Sequence, residues 1–197
     1  MRIIAGTHRG RKILPPEDDL TTRPITDRVK ENLFNRLHSL GMLSDEEGPW
    51  FVLDIFSGTG TLGIESLSRG AARCTFVDQD RDAVDRLKQN LDTFDLTGQS
   101  HIVPGSALGG YWLASVPPGS VRVAFVDPPY KMVEDEDTLP QVMALVERLL
   151  PALEEGGITV VRTPEPVELS EVAGYDGPAI AVYGKMRLHF YQSPLEM

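Results

Sequence analysis

The residues best equipped for chemistry are Asp127-Pro128-Pro129-Tyr130. They follow the apolar run 121–126, so they stand where a buried strand ends. Pro128 and Pro129 lack backbone N–H groups and hold φ near about −65°. Pro128 also biases Asp127 towards an extended conformation. The product is a stiff tetrapeptide in which Asp127 and a neighbouring carbonyl form a fixed acceptor array beside the ring of Tyr130. By itself this is a rigid acceptor array next to a stacking ring.

A second constellation lies upstream. Gly58-Thr59-Gly60-Thr61-Leu62-Gly63 satisfies the pattern G-x-G-x-x-G, and Asp78 follows Gly58 by twenty residues. On that spacing alone the chain could hold NAD, with Asp78 on a ribose. Asp54 argues otherwise, because it closes the preceding strand and would meet a pyrophosphate with a carboxylate. A cationic ligand fits better there. S-adenosylmethionine carries a sulfonium and an ammonium, has no phosphate, and still offers a ribose to Asp78. Its methionine portion can take backbone N–H groups from the turn at Ser57, Gly58, Thr59 and Gly60.

These residues need elements to position them. Trp50 to Leu53 reads as a strand that ends at Asp54, Cys74 to Val77 as a second that ends at Asp78, and His101 to Val103 as a short third that exits through Gly105-Ser106-Ala107. Val121 to Val126 is the fourth and Ile158 to Arg162 the fifth. Ala179 to Tyr183 and Met186 to Tyr191 alternate as a terminal hairpin about Gly184-Lys185. Helical spacing predicts helices over Val29–Leu40, capped by Thr26 or Asp27, over the stretch up to Arg69, from Asp80 to Phe94, and from Thr138 to Glu154. The alternation implies an α/β fold, a mostly parallel seven-stranded sheet with helices on both faces and a C-terminal antiparallel hairpin. In such sheets ligands bind beyond the carboxyl ends of the strands, where Asp54, Asp78, Ser106 and Asp127 converge.

The chain has 197 residues, 41% hydrophobic and 24% charged, as expected of one globular domain with a small N-terminal extension. No apolar run approaches the roughly 20 residues of a membrane span, and the first residues, Met1-Arg2-Ile3-Ile4-Ala5-Gly6, lack the apolar stretch of a signal peptide, so a cytoplasmic protein is the expectation. One cysteine, Cys74, excludes an intrachain disulfide, and its place inside a strand makes it a core residue rather than a nucleophile. The four histidines lack metal-ligand spacing, and no metal is assigned. The net charge is −10, yet residues 1–36 carry eight Arg/Lys against five Asp/Glu. A basic arm on an acidic body is a footprint for phosphate contact.

Leu53-Asp54-Ile55-Phe56-Ser57-Gly58-Thr59-Gly60 resembles the first motif of class I S-adenosylmethionine methyltransferases, and Asp127-Pro128-Pro129-Tyr130 their amino-methylating fourth motif. Arg2-Ile3-Ile4-Ala5-Gly6, Gly10-Arg11-Lys12, the stretch Thr22-Arg23-Pro24 to Phe34, Gly63 to Ala71 and Tyr183-Gly184 are similar to the RsmD-type bacterial methyltransferases, in order and over nearly the whole chain. That resemblance implies a Rossmann-like fold, S-adenosylmethionine as cofactor, and methylation of a guanine N2 amine in 16S rRNA of the small ribosomal subunit or its assembly intermediate, by a monomer. It implies that Asp127, Pro128, Pro129 and Tyr130 are catalytic. It implies that Asp54, Ser57, Gly58, Thr59, Gly60, Asp78, Ser106 and Ala107 hold the cofactor. Residues 1–26 would form the RNA-contacting arm, with Arg9, Arg11, Lys12, Arg23 and Arg28 on phosphates, and residues 27–197 the methyltransferase domain. The chain departs from the family at Ser106, where an acidic residue commonly holds the adenine amino group. The acidic loop Glu134-Asp135-Glu136-Asp137 reads as a solvated turn before a helix N-terminus. The competing readings are an NAD-dependent oxidoreductase, an amino-methyltransferase of DNA or of a protein glutamine, and a non-catalytic RNA-binding relative.

Overall fold

The computed structural model describes residues 1–16, 25–44, 46 and 48–195. Five strands run parallel: β1 (Phe51–Ile55), β2 (Arg73–Asp78), β3 (Ser100–Pro104), β4 (Val121–Val126) and β5 (Leu153–Pro164). β7 (Met186–Gln192) pairs antiparallel with β5, and β6 (Asp176–Tyr183) covers the outer edge of β7. The sheet order is β3-β2-β1-β4-β5-β7-β6. The chain thus winds outward from β1 to β3, then returns to β4 on the other side. The crevice between β1 and β4, where the winding reverses, is where such a sheet accepts a ligand.

Successive strand residues face opposite sides and feed two cores. Val52, Phe76, Val123, Phe125 and Val160 pack under α1 (Asp27–Ser39), α2 (Thr61–Ser68) and α3 (Arg81–Thr93). Leu53, Ile55, Val77, Val126 and Val161 pack under α5 (Leu139–Leu149) and the short α4 (Tyr130–Glu134). Thr26 caps α1 by accepting from the Val29 N–H at 3.3 Å, as the sequence suggests.

Two expectations need correction. The last long helix stops at Leu149 rather than Glu154, because Pro151 has no N–H and its ring opposes a continuing helix. A single 3-10 turn over Leu150–Ala152 then feeds β5, which starts at Leu153 and outruns the predicted Ile158–Arg162 at both ends. The passage from β3 to β4 contains only 3-10 turns among its helical pieces, Ala107–Gly109 and Tyr111–Ser115, anchored by buried Trp112, whose Nε1 donates to the Ala107 carbonyl at 2.9 Å.

The N-terminal segment folds back on itself through an antiparallel bridge between Arg2 and Lys12, with Ile3 and Ile13 buried in the same core as α2. It is tied to α2 by its backbone. The N–H groups of Ile4 and Ala5 donate to the two oxygens of Glu65 at 2.8 and 3.1 Å, and Thr7 N–H donates to the Ser68 carbonyl at 2.8 Å. Gly6, with φ +81°, lies so close that a Cβ there would collide with the Ser68 carbonyl. Glu65 is fully buried, paired with buried Lys30 at 3.3 Å and with partly exposed Arg69 at 2.8 Å.

Candidate active site

Asp54 lies near the carboxyl end of β1, and its Oδ2 accepts the N–H of Gly63 in the first turn of α2 at 2.8 Å. Burial pushes its carboxyl well above the usual carboxylate range, reinforced by Asp127 and Asp78 and opposed by the Gly63 N–H. Gly63 is required by packing: a Cβ would enter the Phe76 ring and crowd the Cys74 sulfur. This is the close helix–strand approach for which the third glycine of the pattern is needed. Asp78 ends β2 and orders the turn from the other side. Its Oδ2 accepts from Gly58 N–H at 2.7 Å and its Oδ1 from Asp80 N–H at 2.9 Å. Burial raises this carboxyl too, while the backbone N–H groups pull it down.

Asp127 continues β4, its N–H donating to the Ile55 carbonyl at 3.1 Å, so the tetrapeptide leaves the sheet beside the exit of β1. Arg162 of β5 donates from Nε to Asp127 Oδ1 at 2.5 Å. Its guanidinium also lies 5.4 Å from the centroid of the Tyr130 ring. Burial pushes the Asp127 carboxyl above its ordinary value, and Arg162 holds it back.

A cleft of ≈ 310 Å³ joins these groups, within the size range of small-molecule sites. Asp54, Ser57, Gly58, Thr59, Asp78, Asp127 and Pro129 all line it. Gly60, the residue before α2, is not among the lining residues and is packed against Leu87, Ile64 and Phe76. Pro128 is buried behind the rim, and half-buried Tyr130 opens α4 next to it. Ser106 and Ala107 do not line this cleft: Ser106 is exposed ahead of a 3-10 turn, and Ala107 is packed in the core. The acidic loop acts on its own backbone, since Asp135 Oδ1 accepts from the N–H groups of Asp137 and Thr138 ahead of α5.

The basic residues of the arm divide. Arg9, Arg11, Lys12 and Arg28 are all exposed. Arg11 is engaged: it donates to the Thr93 carbonyl at 2.6 Å and lies over the Phe94 ring, 4.6 Å from its centroid. Arg23 lies outside the described residues. Met1, Pro16 and Ile25 line the cleft, so the arm borders the same opening.

Sequence reasoning missed Arg162 and Phe56. Arg162 carried one signal, a cation at the end of an otherwise apolar strand. Phe56 lines the cleft with φ +60°, a left-handed conformation costing about 1–2 kcal/mol in a non-glycine residue. It turns the chain from β1 into the glycine loop, and nothing in its side chain announces this. The Glu65–Lys30 anchor was missed as well.

The cleft can select charge. Asp54, Asp78, Asp80 and Asp127 face it with Arg162 as the guanidinium among its lining residues. A pyrophosphate would meet carboxylates, whereas a ligand with a positive centre meets complementary charge. The buried Ser57 Oγ, also on the lining, has no hydrogen-bond partner among the described residues. A buried polar atom of this kind needs a partner, and a polar ligand in the cleft would supply it.

Comparison with known proteins agrees with this geometry. Residues 1–192 match the family described as conserved hypothetical protein 95. YlbH of Bacillus subtilis, provisionally named an rRNA methyltransferase, is 36% identical over 94% of this chain and 99% of its own length. Ribosomal RNA small subunit methyltransferase D of Escherichia coli is 39% identical over 71% of this chain and 65% of its own. The structure of Escherichia coli yhhF, provisionally named a methyltransferase, superposes with a TM-score of 0.78 at 32% identity, covering 100% of this chain and 99% of that one. The fold is therefore the Rossmann-like fold of methyltransferases, and the chain belongs to the conserved hypothetical protein 95 family, the RsmD-like methyltransferases.

Proposed function

We propose that this protein methylates the exocyclic N2 amine of a guanine in 16S rRNA of the small ribosomal subunit, with S-adenosylmethionine as methyl donor. The observation that carries the reading is the juxtaposition of Asp127-Pro128-Pro129-Tyr130 with the acid-lined glycine loop across one cleft. The names of the relatives support rRNA as substrate.

S-adenosylmethionine, when bound, supplies a methyl group made electrophilic by its sulfonium. Asp127 provides a negative wall for such a cation, Asp54 a buried carboxyl that such a cation would favour in its ionised form, Asp78 the acceptor for a ribose, and Ser57 a hydroxyl with no partner among the described residues. The guanine amine is a poor nucleophile because its lone pair is delocalised into the ring. Asp127 and the Pro128 carbonyl accept its two N–H groups and so orient the lone pair towards the methyl. As the nitrogen becomes pyramidal and positive, these fixed acceptors bind it more strongly, which is the source of rate acceleration. Pro129 stiffens the acceptor array, and Tyr130 stacks on the base. Reaching the amine requires the base to leave its stack, at a cost of a few kcal/mol. Phosphate contacts from Arg9, Lys12 and Arg28, with Arg11 and Arg23, offset that cost without reading sequence.

Calorimetric titration tests the cofactor half of the reading. S-adenosylhomocysteine is expected to bind in the micromolar range and NADH not at all. NADH binding in preference would overturn the reading in favour of an oxidoreductase.

A further inference from the structure

Val161 of β5 pairs with Val126 of β4, so the next residues along the two parallel strands, Arg162 and Asp127, meet at the rim. Arg162 is 5% exposed, lines the cleft, and spans from Asp127 Oδ1 to the Tyr130 ring. A buried ion pair of this kind gains little stability over an apolar pair of similar volume. Stability alone therefore does not account for a guanidinium here. Its effect on Asp127 is specific. A carboxylate offers two oxygens, and the Arg162 N–H takes Oδ1 in a charge-assisted bond.

We infer that Arg162 is a positioning residue for methyl transfer: it fixes the plane of the Asp127 carboxylate, leaves Oδ2 to meet the substrate amine, and holds the Tyr130 ring beside it. The inference rests on the proposed amine-binding role of Asp127. Asp54 approaches Asp127 from β1, Arg162 from β5 and Tyr130 from α4. Of these Arg162 is the cation, and it opposes the burial that raises the Asp127 carboxyl. A protonated Asp127 would present an O–H where the amine needs an acceptor. Lys at this position would keep a charge but lose the planar fork that reaches the carboxylate and lies over a ring.

The test uses the full chain with aspartate carboxyl carbons labelled with carbon-13, the Asp127 resonance being assigned with Asp127→Asn. In Arg162→Met the titration midpoint of Asp127 is expected to rise by about one pH unit or more. The acid limb of kcat on small subunits should move up with it, and kcat at neutral pH should fall about tenfold or more. Affinity for S-adenosylhomocysteine should stay within about twofold. Arg162→Lys should bring the midpoint back towards wild type while kcat stays low at unchanged KM.

A wild-type midpoint in folded Arg162→Met overturns the inference. Should that variant not fold, wild-type kcat in Arg162→Lys overturns it instead. The resonance does not depend on turnover. A shifted midpoint in a protein that methylates no RNA would leave the hold of Arg162 on Asp127 intact and remove the proposed activity. Methylation with an unmoved midpoint would do the reverse.

Discussion

Two sets of buried ionisable groups lie at α2 and across the crevice from it, and they serve opposite purposes. At its N-terminus Asp54 accepts the Gly63 N–H, and across the crevice Asp127 pairs with Arg162. Two residues on from Gly63, Glu65 accepts from Ile4, Ala5, Lys30 and Arg69. Both oxygens of Glu65 are consumed by these partners, and the group is sealed from solvent. The rim carboxylates are only partly consumed and face an open cleft. A buried charge whose partners surround it is an anchor. One whose partners leave a side open to a cavity is available to a ligand. Because Asp54 and Glu65 both act on α2, the arm and the glycine loop are fixed relative to each other.

The comparison can be broken at either end. Asp127→Asn keeps the shape of the side chain and removes its charge. Turnover should fall by about 10³-fold, with S-adenosylhomocysteine affinity preserved in calorimetry. Loss of cofactor binding instead would move Asp127 from the amine to the cofactor. Glu65→Ala leaves Lys30 buried without its carboxylate and frees the N–H groups of Ile4 and Ala5. The expected loss is about 3–5 kcal/mol in urea unfolding, with faster amide exchange at Ile4 and Ala5. A stable variant with slow exchange there would show that Glu65 is not the anchor.

Acid conditions sharpen the distinction between site and scaffold. His189 on β7 is fully buried, hydrogen-bonded to Thr163 at 3.0 Å, and its pKa is lowered by burial from 6.5 to about 4. The unfolded chain therefore binds a proton that the folded chain refuses. The stability contributed by this group is complete above pH 6.5 and drains away as pH falls through about 4. The midpoint of urea unfolding should fall over that window, and His189→Gln should flatten the fall. If the flattened variant keeps the wild-type acid limb of kcat, that limb belongs to the site.

The smallest effect is expected in the arm. Reversing Arg9 and Lys12, both exposed, should lower RNA affinity and reduce the salt slope by about 0.7–0.9 per lost phosphate contact. Arg11 is a poor probe of this, because its stacking on Phe94 and its bond to Thr93 hold the arm to α3. Unchanged affinity and slope would remove the arm from the RNA interface.

The rim was legible because strand ends follow from local pattern. Apolar runs ending in Asp54, Asp78 and Asp127 put those residues on one edge whatever the details of packing. Arg162 was not legible, since its partner is set by the pairing of β4 with β5, thirty-five residues apart in sequence. Glu65 sits in a helix buried on every side, where a lone acid gives no local sign of what neutralises it. The family pattern placed Ser106 at the cofactor, yet the side chain is exposed outside the cleft. The end of α5 was legible in Pro151 but masked by apolar spacing that continues to Leu153. Charge identified the arm; only the folded contacts of Arg11 with Thr93 and Phe94 distinguish it from the equally exposed Arg9 and Lys12.

The central claim is tested most directly by incubating the purified protein and isotopically labelled S-adenosylmethionine with small ribosomal subunits lacking the modification, then digesting the RNA for nucleoside mass spectrometry. The label is expected on N2-methylguanosine from 16S rRNA and to vanish with Asp127→Asn. Label on adenosine, on ribosomal protein, or on guanosine in both wild type and variant would contradict it.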